Sequence, residues 1–221
     1  MQRILFPLLL IASLIIGGSV QAQKKSKKED PAKYGMDDDY KLPKGLKLGS
    51  DLPEFTTSTS SGTEINSEDL IKEGPAVILF FRGNWCPVCS KYLSNLNDSL
   101  QQITSLGAKV YAISPQNKVA NETAANKAKG NIIFLNDENA QIMKAFDVDF
   151  KVSEKYDQKI KMFLNTDIAE FNGMENALLP VPATFVFDQS GELVFRHFNF
   201  NYNRRAHTKE IINAIKNIKT N

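Results

Sequence analysis

From about Leu46 onward the chain alternates short apolar runs with stretches whose apolar residues recur every three or four positions. Residues 75–81 and 109–114 are short, apolar and rich in branched and aromatic side chains, which predicts buried strands, and 132–134 predicts another. Between the first two, Tyr92, Leu93, Leu96, Leu100 and Ile103 fall at helical spacing. A helix is therefore expected from about Pro87 to Leu106, with Gly107 turning the chain back into the sheet. A polar helix is expected over 117–129, and Asn136 or Asp137 caps a helix carrying Ile142, Met143 and Phe146. Upstream, 54–57 and 63–65 flank the turn signal Ser60-Ser61-Gly62 and predict a hairpin, after which Asn66 or Ser67 caps a short helix through Leu70. Downstream, 183–187 and 192–195 predict a second hairpin around Asp188-Gln189-Ser190-Gly191. An amphipathic helix with Ile211, Ile212, Ile215 and Ile218 closes the chain. Residues 147–179 have no clean period and read as an insertion. The order gives an α/β fold: a central mixed sheet, parallel through βαβ crossovers and antiparallel at one edge, with helices on both faces and an N-terminal β-hairpin before it.

The N-terminal 45 residues lie outside that pattern. Arg3, an apolar core from Ile4 to Ile16 broken only by Pro7, Ala12 and Ser13, and the small-x-small site Val20-Gln21-Ala22 read as a secretory signal peptide over 1–22. Cleavage after Ala22 would leave Gln23 as the first residue. The apolar run is shorter than the roughly 20 residues of a membrane span, and no cysteine near the site permits a lipid anchor. Residues 23–45 carry Lys24, Lys25, Lys27, Lys28, Asp37, Asp38 and Asp39 with few apolar residues, so a charged flexible linker is expected there. The folded domain is then 46–221. Export places it outside the reducing cytosol, most plausibly in a bacterial periplasm. A net charge of +2 is too small to argue for nucleic acid, and 42% hydrophobic residues suffice for a core without disulfide staples.

The chemistry of the chain concentrates in Phe80-Phe81-Arg82-Gly83-Asn84-Trp85-Cys86-Pro87-Val88-Cys89, which holds both cysteines at a strand-to-helix junction. A thiol there meets unpaired backbone N–H groups and the positive end of the helix dipole, so the thiolate is favoured. Pro87 fits the first helical turn, where a missing N–H costs nothing. An exported protein whose only cysteines form a tight CxxC uses them to pass electrons, not to close a long loop. Helix position favours Cys86 as the exposed nucleophile and Cys89, one turn in and partly covered, as the resolving thiol.

Gly49-x-x-Leu52-Pro53-x-Phe55, Phe81-Arg82-Gly83-x-Trp85-Cys86-Pro87-x-Cys89 and Leu179-Pro180-Val181-Pro182-Ala183-Thr184-Phe185-Val186 occur in one order across roughly residues 46–219. Together they resemble the peroxiredoxin-like branch of the alkyl hydroperoxide reductase/thiol-specific antioxidant (AhpC/TSA, redoxin) family, within the thioredoxin-like superfamily. The resemblance implies a thioredoxin-like fold and an antioxidant peroxidase working through the cysteine pair. It also bears on which sulfur attacks. In that family the peroxidatic cysteine follows a threonine by three residues. Here the threonine position falls on Cys86, so the family register points to Cys89 as the attacking residue.

Other residues take supporting roles. Trp85 is expected to pack beside the pair and shield it from water. Arg82, four residues before Cys86, is placed to steady a thiolate. Arg204 and Arg205 resemble the family's arginine-bearing segment before the last helix, with Arg204 taken as the site residue. Pro182 is expected in the cis form implied by the thioredoxin fold, with the Val181 backbone free to receive an extended substrate strand. His197 and His207 lack metal-ligand spacing relative to the cysteines, a zinc site needs four ligands, and no metal or cofactor is expected. Two activities are compatible with these residues: a peroxidase acting on hydroperoxides, and a thiol–disulfide oxidoreductase acting on protein disulfides. In either case a thiol donor, a thioredoxin-like protein or a membrane-delivered reductant, would return the electrons.

Overall fold

The computed structural model of the protein describes residues 29–128 and 132–218. Its centre is a five-stranded sheet in the order β5 (Ile132–Asn136), β4 (Lys109–Ser114), β3 (Ala76–Phe80), β8 (Ala183–Phe187), β9 (Leu193–Phe198). β3 is buried along its whole length and runs parallel to β4, which is parallel to β5. β8 pairs antiparallel with β3, and β9 antiparallel with β8. Two-residue alternation sends β3 side chains to opposite faces. Val77, Leu79 and Phe81 meet one core, built on α2 (Pro87–Asp98), α3 (Leu100–Thr104) and α8 (Thr208–Lys216). Ala76, Ile78 and Phe80 meet the other, with Leu70 of α1 (Ser67–Ile71) and Ile142 and Met143 of α5 (Gln141–Ala145). A sheet covered on both faces explains why its strands read as continuous apolar runs.

The hairpin of β1 (Thr56–Ser58) and β2 (Glu64–Asn66) forms as expected, and α4 (Lys118–Ala128) is the polar helix. The expected helix over 87–106 divides into α2 and α3 at Ser99, whose φ of −107° and ψ of 3° leave the helical region while its N–H bonds to Leu96 O. Asp137, not Asn136, caps the next helix. Its carboxylate accepts from Ile142 N at 2.7 Å and Met143 N at 3.0 Å, across the left-handed residues Asn139 and Ala140.

The insertion forms a structured layer. β6 (Asp149–Lys151) and β7 (Leu178–Pro180) make an antiparallel ladder, joined through α6 (Glu154–Leu164) and α7 (Ile168–Asn172). The expected flexible linker is held from Glu29 onward, first against Asn201 and Arg204 and then on this layer, so that expectation does not hold over 29–45. Met36 is buried and bridges to Val152, Tyr40 Oη donates to Asp149 at 2.6 Å, and Gly45 N donates to Asp147 O at 2.8 Å. One apolar anchor and an open strand edge are enough to hold a polar segment down. Gly35 makes the approach possible: its φ is 98°, and a Cβ there would sit 2.6 Å from the Tyr156 ring. The signal peptide and Lys24, Lys25, Lys27 and Lys28 fall outside the described residues. Among the described residues no helix is long and apolar enough to cross a membrane.

Candidate active site

β3 delivers the chain to a tight loop, 81–86, and α2 starts immediately after it. Gly83 has a φ of 147°, and a Cβ at this position would come within 2.4 Å of Trp85 Nε1. Only glycine lets the indole fold back over the loop. Cys86 is the N-cap of α2, its N–H donating to Gly83 O at 3.2 Å, and Pro87 occupies the first turn as expected. Both cysteines are free thiols and both are buried, Cys86 at 2% and Cys89 at 0% exposure. The expectation of an exposed Cys86 therefore fails, because Trp85 and the neighbouring layers close over the helix entrance.

The two sulfurs sit in different fields. At Cys89, burial alone raises the thiol. The Cys86 thiol donating to its sulfur, the charges of Arg205 and Arg82, and the Arg82 backbone N–H outweigh that and bring it down to about 5. At Cys86 the balance is reversed: the bond to Cys89 and then burial push the thiol well up, with Arg82 opposing. The surroundings therefore favour negative charge on Cys89 and the proton on Cys86.

Arg205 supplies the direct contact, its Nη2 donating to Cys89 Sγ at 3.2 Å while its Nε donates to Tyr202 O at 2.8 Å. The guanidinium also lies 5.4 Å from the centre of the Tyr92 ring, and Tyr92 Oη donates to Ala206 O at 3.2 Å. Arg204 points the other way. It is exposed and pairs with Glu29 at 3.4 Å, so the site arginine of this segment is Arg205 and not Arg204.

Arg82 is 2% exposed and stands in a cage of three aromatic rings, 4.5 Å from the centre of Tyr202, 4.9 Å from Trp85 and 5.3 Å from Tyr156. Its Nε and Nη2, and Trp85 Nε1, have no hydrogen-bond partner among the described residues. Burial disfavours the guanidinium charge, but Tyr156 and the two cysteines outweigh it, so Arg82 stays cationic. The ring faces hold a charge that water does not reach. Neither Tyr156 nor Tyr202 carried a signal in the sequence. Tyr156 lies in the aperiodic insertion, and Tyr202 lies in the irregular segment just before Arg204 and Arg205.

Pro182 does not take the expected form. No cis peptide bond occurs among the described residues. The Val181 N–H, expected to await a substrate strand, donates to Val148 O at 2.7 Å, and the residues before it are paired in the β6–β7 ladder. The insertion fills the edge that a substrate strand would use. Pro182 is buried, with its carbonyl accepting from Asn199 N at 3.5 Å. His197 lies beside Arg204 O at 3.3 Å, and His207 is the N-cap of α8, closed by Glu210. A cleft of about 470 Å³, lined in part by Val88, Tyr92, Asn203, Arg205 and His207, opens beside the Arg205 contact.

A sequence model of the AhpC/TSA family matches residues 48–196, more than half the chain. Among curated proteins, the chloroplastic peroxiredoxin Q of Sedum lineare is 24% identical over 171 residues, which is 77% of this chain and 78% of that one. Among solved structures, peroxidoxin BcpB from Mycobacterium tuberculosis aligns with a TM-score of 0.62 at 19% identity, over 79% of this chain and 99% of that chain. Peroxiredoxin Q of Xanthomonas campestris aligns with a TM-score of 0.57 at 19% identity, over 77% and 95%. At these identities the solved structures speak to the fold, which is the thioredoxin-like one.

Proposed function

Because the chain belongs to the AhpC/TSA family of thiol-dependent peroxidases, we propose that it reduces hydroperoxides with Cys89 as the attacking sulfur and Cys86 as the resolving one. This reverses the order favoured by the helix entrance alone. The observation that carries it is the Arg205 Nη2 contact to Cys89 Sγ at 3.2 Å, which places a positive charge directly on the fully buried sulfur and favours its thiolate.

The Cys89 thiolate attacks one oxygen of the peroxide, the O–O bond breaks, and the departing alkoxide or hydroxide takes a proton and leaves as alcohol or water. Cys89 becomes a sulfenic acid. The Cys86 sulfur then attacks the Cys89 sulfur and water leaves, with the thiol proton completing it. The Cys86–Cys89 disulfide is returned to two thiols by exchange with an external dithiol, a thioredoxin-like or membrane-delivered donor, which is oxidised in turn. Arg205 and Arg82 hold positive charge where negative charge moves from sulfur to oxygen. The cleft lined by Arg205 opens on the guanidinium that bonds Cys89; neither sulfur lines it, so the peroxide has to pass Arg205 to reach them. Peroxide is favoured over protein disulfides because the strand edge before Pro182 is occupied by β6 and the Val181 N–H is already bonded. We further propose that the protein is exported, with cleavage after Ala22, and works in the periplasm.

Trp85, the one tryptophan in the chain, reports the test. Reduced protein mixed with hydrogen peroxide should show a fast fluorescence change. Cys86→Ser should still react once and yield a sulfenic acid on Cys89, trapped by dimedone, whereas Cys89→Ser should react little. Trapping on Cys86 in Cys89→Ser, with none on Cys89 in Cys86→Ser, would reverse the order. Slow oxidation of the wild-type protein with rapid exchange against protein disulfides would replace the peroxidase with the disulfide oxidoreductase.

A further inference from the structure

A line of buried amides runs from the cysteine loop to the N-terminal hairpin. The Asn84 backbone N–H donates to Gln116 Oε1 at 2.8 Å, and Gln116 Nε2 donates to Asn121 Oδ1 at 3.2 Å. Asn121 Nδ2 donates to Asn136 Oδ1 at 2.7 Å, and Asn136 Nδ2 donates to Ser58 Oγ at 2.8 Å and Thr59 O at 3.1 Å. Gln116, Asn121 and Asn136 are 3%, 0% and 4% exposed. The chain draws on the loop after β4, on α4, on the end of β5 and on the hairpin, so it crosses four separate elements.

Its direction is fixed by its two ends. A backbone N–H can only donate, so Gln116 must turn its oxygen to Asn84. A backbone carbonyl can only accept, so Asn136 must turn its nitrogen to Thr59. Between those ends each amide has one orientation that leaves no clash of like groups. All donate in the same sense, and such a chain strengthens its own members in a buried setting. The same loop is held by Asn84 Nδ2 donating to Ala120 O at 3.0 Å and Ser90 Oγ donating to Asn84 O at 3.3 Å. Asn84 is two residues from Cys86 and carries Trp85 on its C-terminal side.

We infer that Gln116 is a positioning residue for the sulfur pair, which it orients by gripping the Asn84 backbone at the head of this amide chain. The reaction it serves rests on the peroxidase reading; the positioning itself does not. Gln116 touches neither sulfur and acts through the loop.

The test compares Gln116→Met with Gln116→Glu. The first removes both bonds. The second places a carboxyl that, when protonated, accepts from Asn84 and donates to Asn121 as the amide does, and when ionised presents only acceptors to Asn121. The readout is the rate at which iodoacetamide alkylates Cys89 in reduced protein, followed by mass spectrometry and expressed as a ratio to wild type at each pH. Folding is checked by melting. Gln116→Met should alkylate about tenfold more slowly, within the roughly hundredfold that a 1 Å misplacement can cost. Gln116→Glu should match wild type in acid and fall towards the Met variant as its new carboxyl ionises. A merely structural role would lower the melting temperature of both variants while leaving both ratios within twofold of one at every pH, and that result overturns the inference. The ratio decides the matter whether or not the wild-type protein consumes peroxide, so the two readings fail separately.

Discussion

Replacing Arg205 with methionine should raise the titration midpoint of Cys89 and slow the protein most in acid. The guanidinium Nη2 is 3.2 Å from the sulfur, and methionine keeps much of the apolar stem while removing the donor and the charge. A hydrogen bond to a charged group contributes about 1.5–3 kcal/mol. At about 1.4 kcal/mol per pKa unit, its loss moves the midpoint up by about one to two units. Cys89 starts at about 5, so the variant should titrate between about 6 and 7, since the Cys86 thiol and Arg82 still act on the sulfur. At about pH 7.5 the variant then remains mostly thiolate, and ionisation alone slows it less than about 1.5-fold. At about pH 5.5 the wild type is about three-quarters ionised and the variant between about 3% and 25%, a loss of about threefold to twenty-fivefold. The assay is the pseudo-first-order oxidation by hydrogen peroxide, read from Trp85 fluorescence across pH, with thiolate absorbance as an independent titration. Any deficit that persists on the alkaline plateau measures what Arg205 does for charge arriving on the peroxide oxygen, separately from what it does for the thiolate. An unchanged midpoint in a folded Arg205→Met protein would refute the reasoning, since the observed contact would then hold no thiolate. Arg205→Lys should fall between the two, keeping charge but losing the planar fork.

Arg82→Lys should destabilise the protein by about 2 kcal/mol in urea unfolding, because a compact ammonium cannot stack against three rings as a desolvated guanidinium does; no change would mean the cage is incidental. Asp137 offers a pH test away from the sulfurs. Burial, against its two backbone bonds and Lys144, raises its carboxyl from 3.8 to about 6. Its contribution to stability is thus fully present below about pH 4 and is lost as pH rises through about 6, by about 3 kcal/mol. Urea unfolding of the protein with its thiols oxidised should show that decline, and Asp137→Asn should flatten it. The mature protein recovered from its native host should begin at Gln23 by N-terminal sequencing; intact Met1 in the cytoplasm would remove the export proposal.

The sheet was legible because burial on both faces leaves β3 no polar position and β4 and β8 few, and a short apolar run has few other homes. The start of α2 was legible for a local reason: Cys-Pro at a strand end is compatible with an N-cap followed by a first turn. What the sequence concealed was set by contacts between distant segments. Tyr156 reaches Arg82 only because β6 and β7 close the insertion into a layer over the cysteine loop. The β6–β7 ladder likewise takes the Val181 edge, and nothing local to Val181-Pro182 announces it. Adjacent residues could exchange roles for the same reason. Arg204 and Arg205 are identical in type, and which one faces Cys89 is decided by the turn before them, where Asn203 N donates to Asn201 Oδ1 and Arg204 N to Asn201 O.

The buried amides pose the sharpest form of this limit. Gln116 and Asn121 read as ordinary turn and polar-helix residues and Asn136 as a candidate helix cap, since a polar residue in a single sequence is presumed to face water. Burying an amide without partners would cost about 1–3 kcal/mol per unmet group. Three such residues at 4% exposure or less are therefore tolerable only as a connected set. The connection demands that β4, α4, β5 and the hairpin arrive together, which couples the placement of the cysteine loop to the completeness of the fold around it. A thiolate held near 5 in a dry site needs its donors fixed to within a fraction of an ångström, and the two arginines that supply the charge sit on segments with no regular structure of their own. Arg82 is fixed by ring faces, Arg205 by the Tyr202 carbonyl, and the loop between Arg82 and Cys86 by Gln116. Remove any one and the sulfur keeps its neighbours but loses their alignment, so reactivity should fall together with the stability those contacts supply.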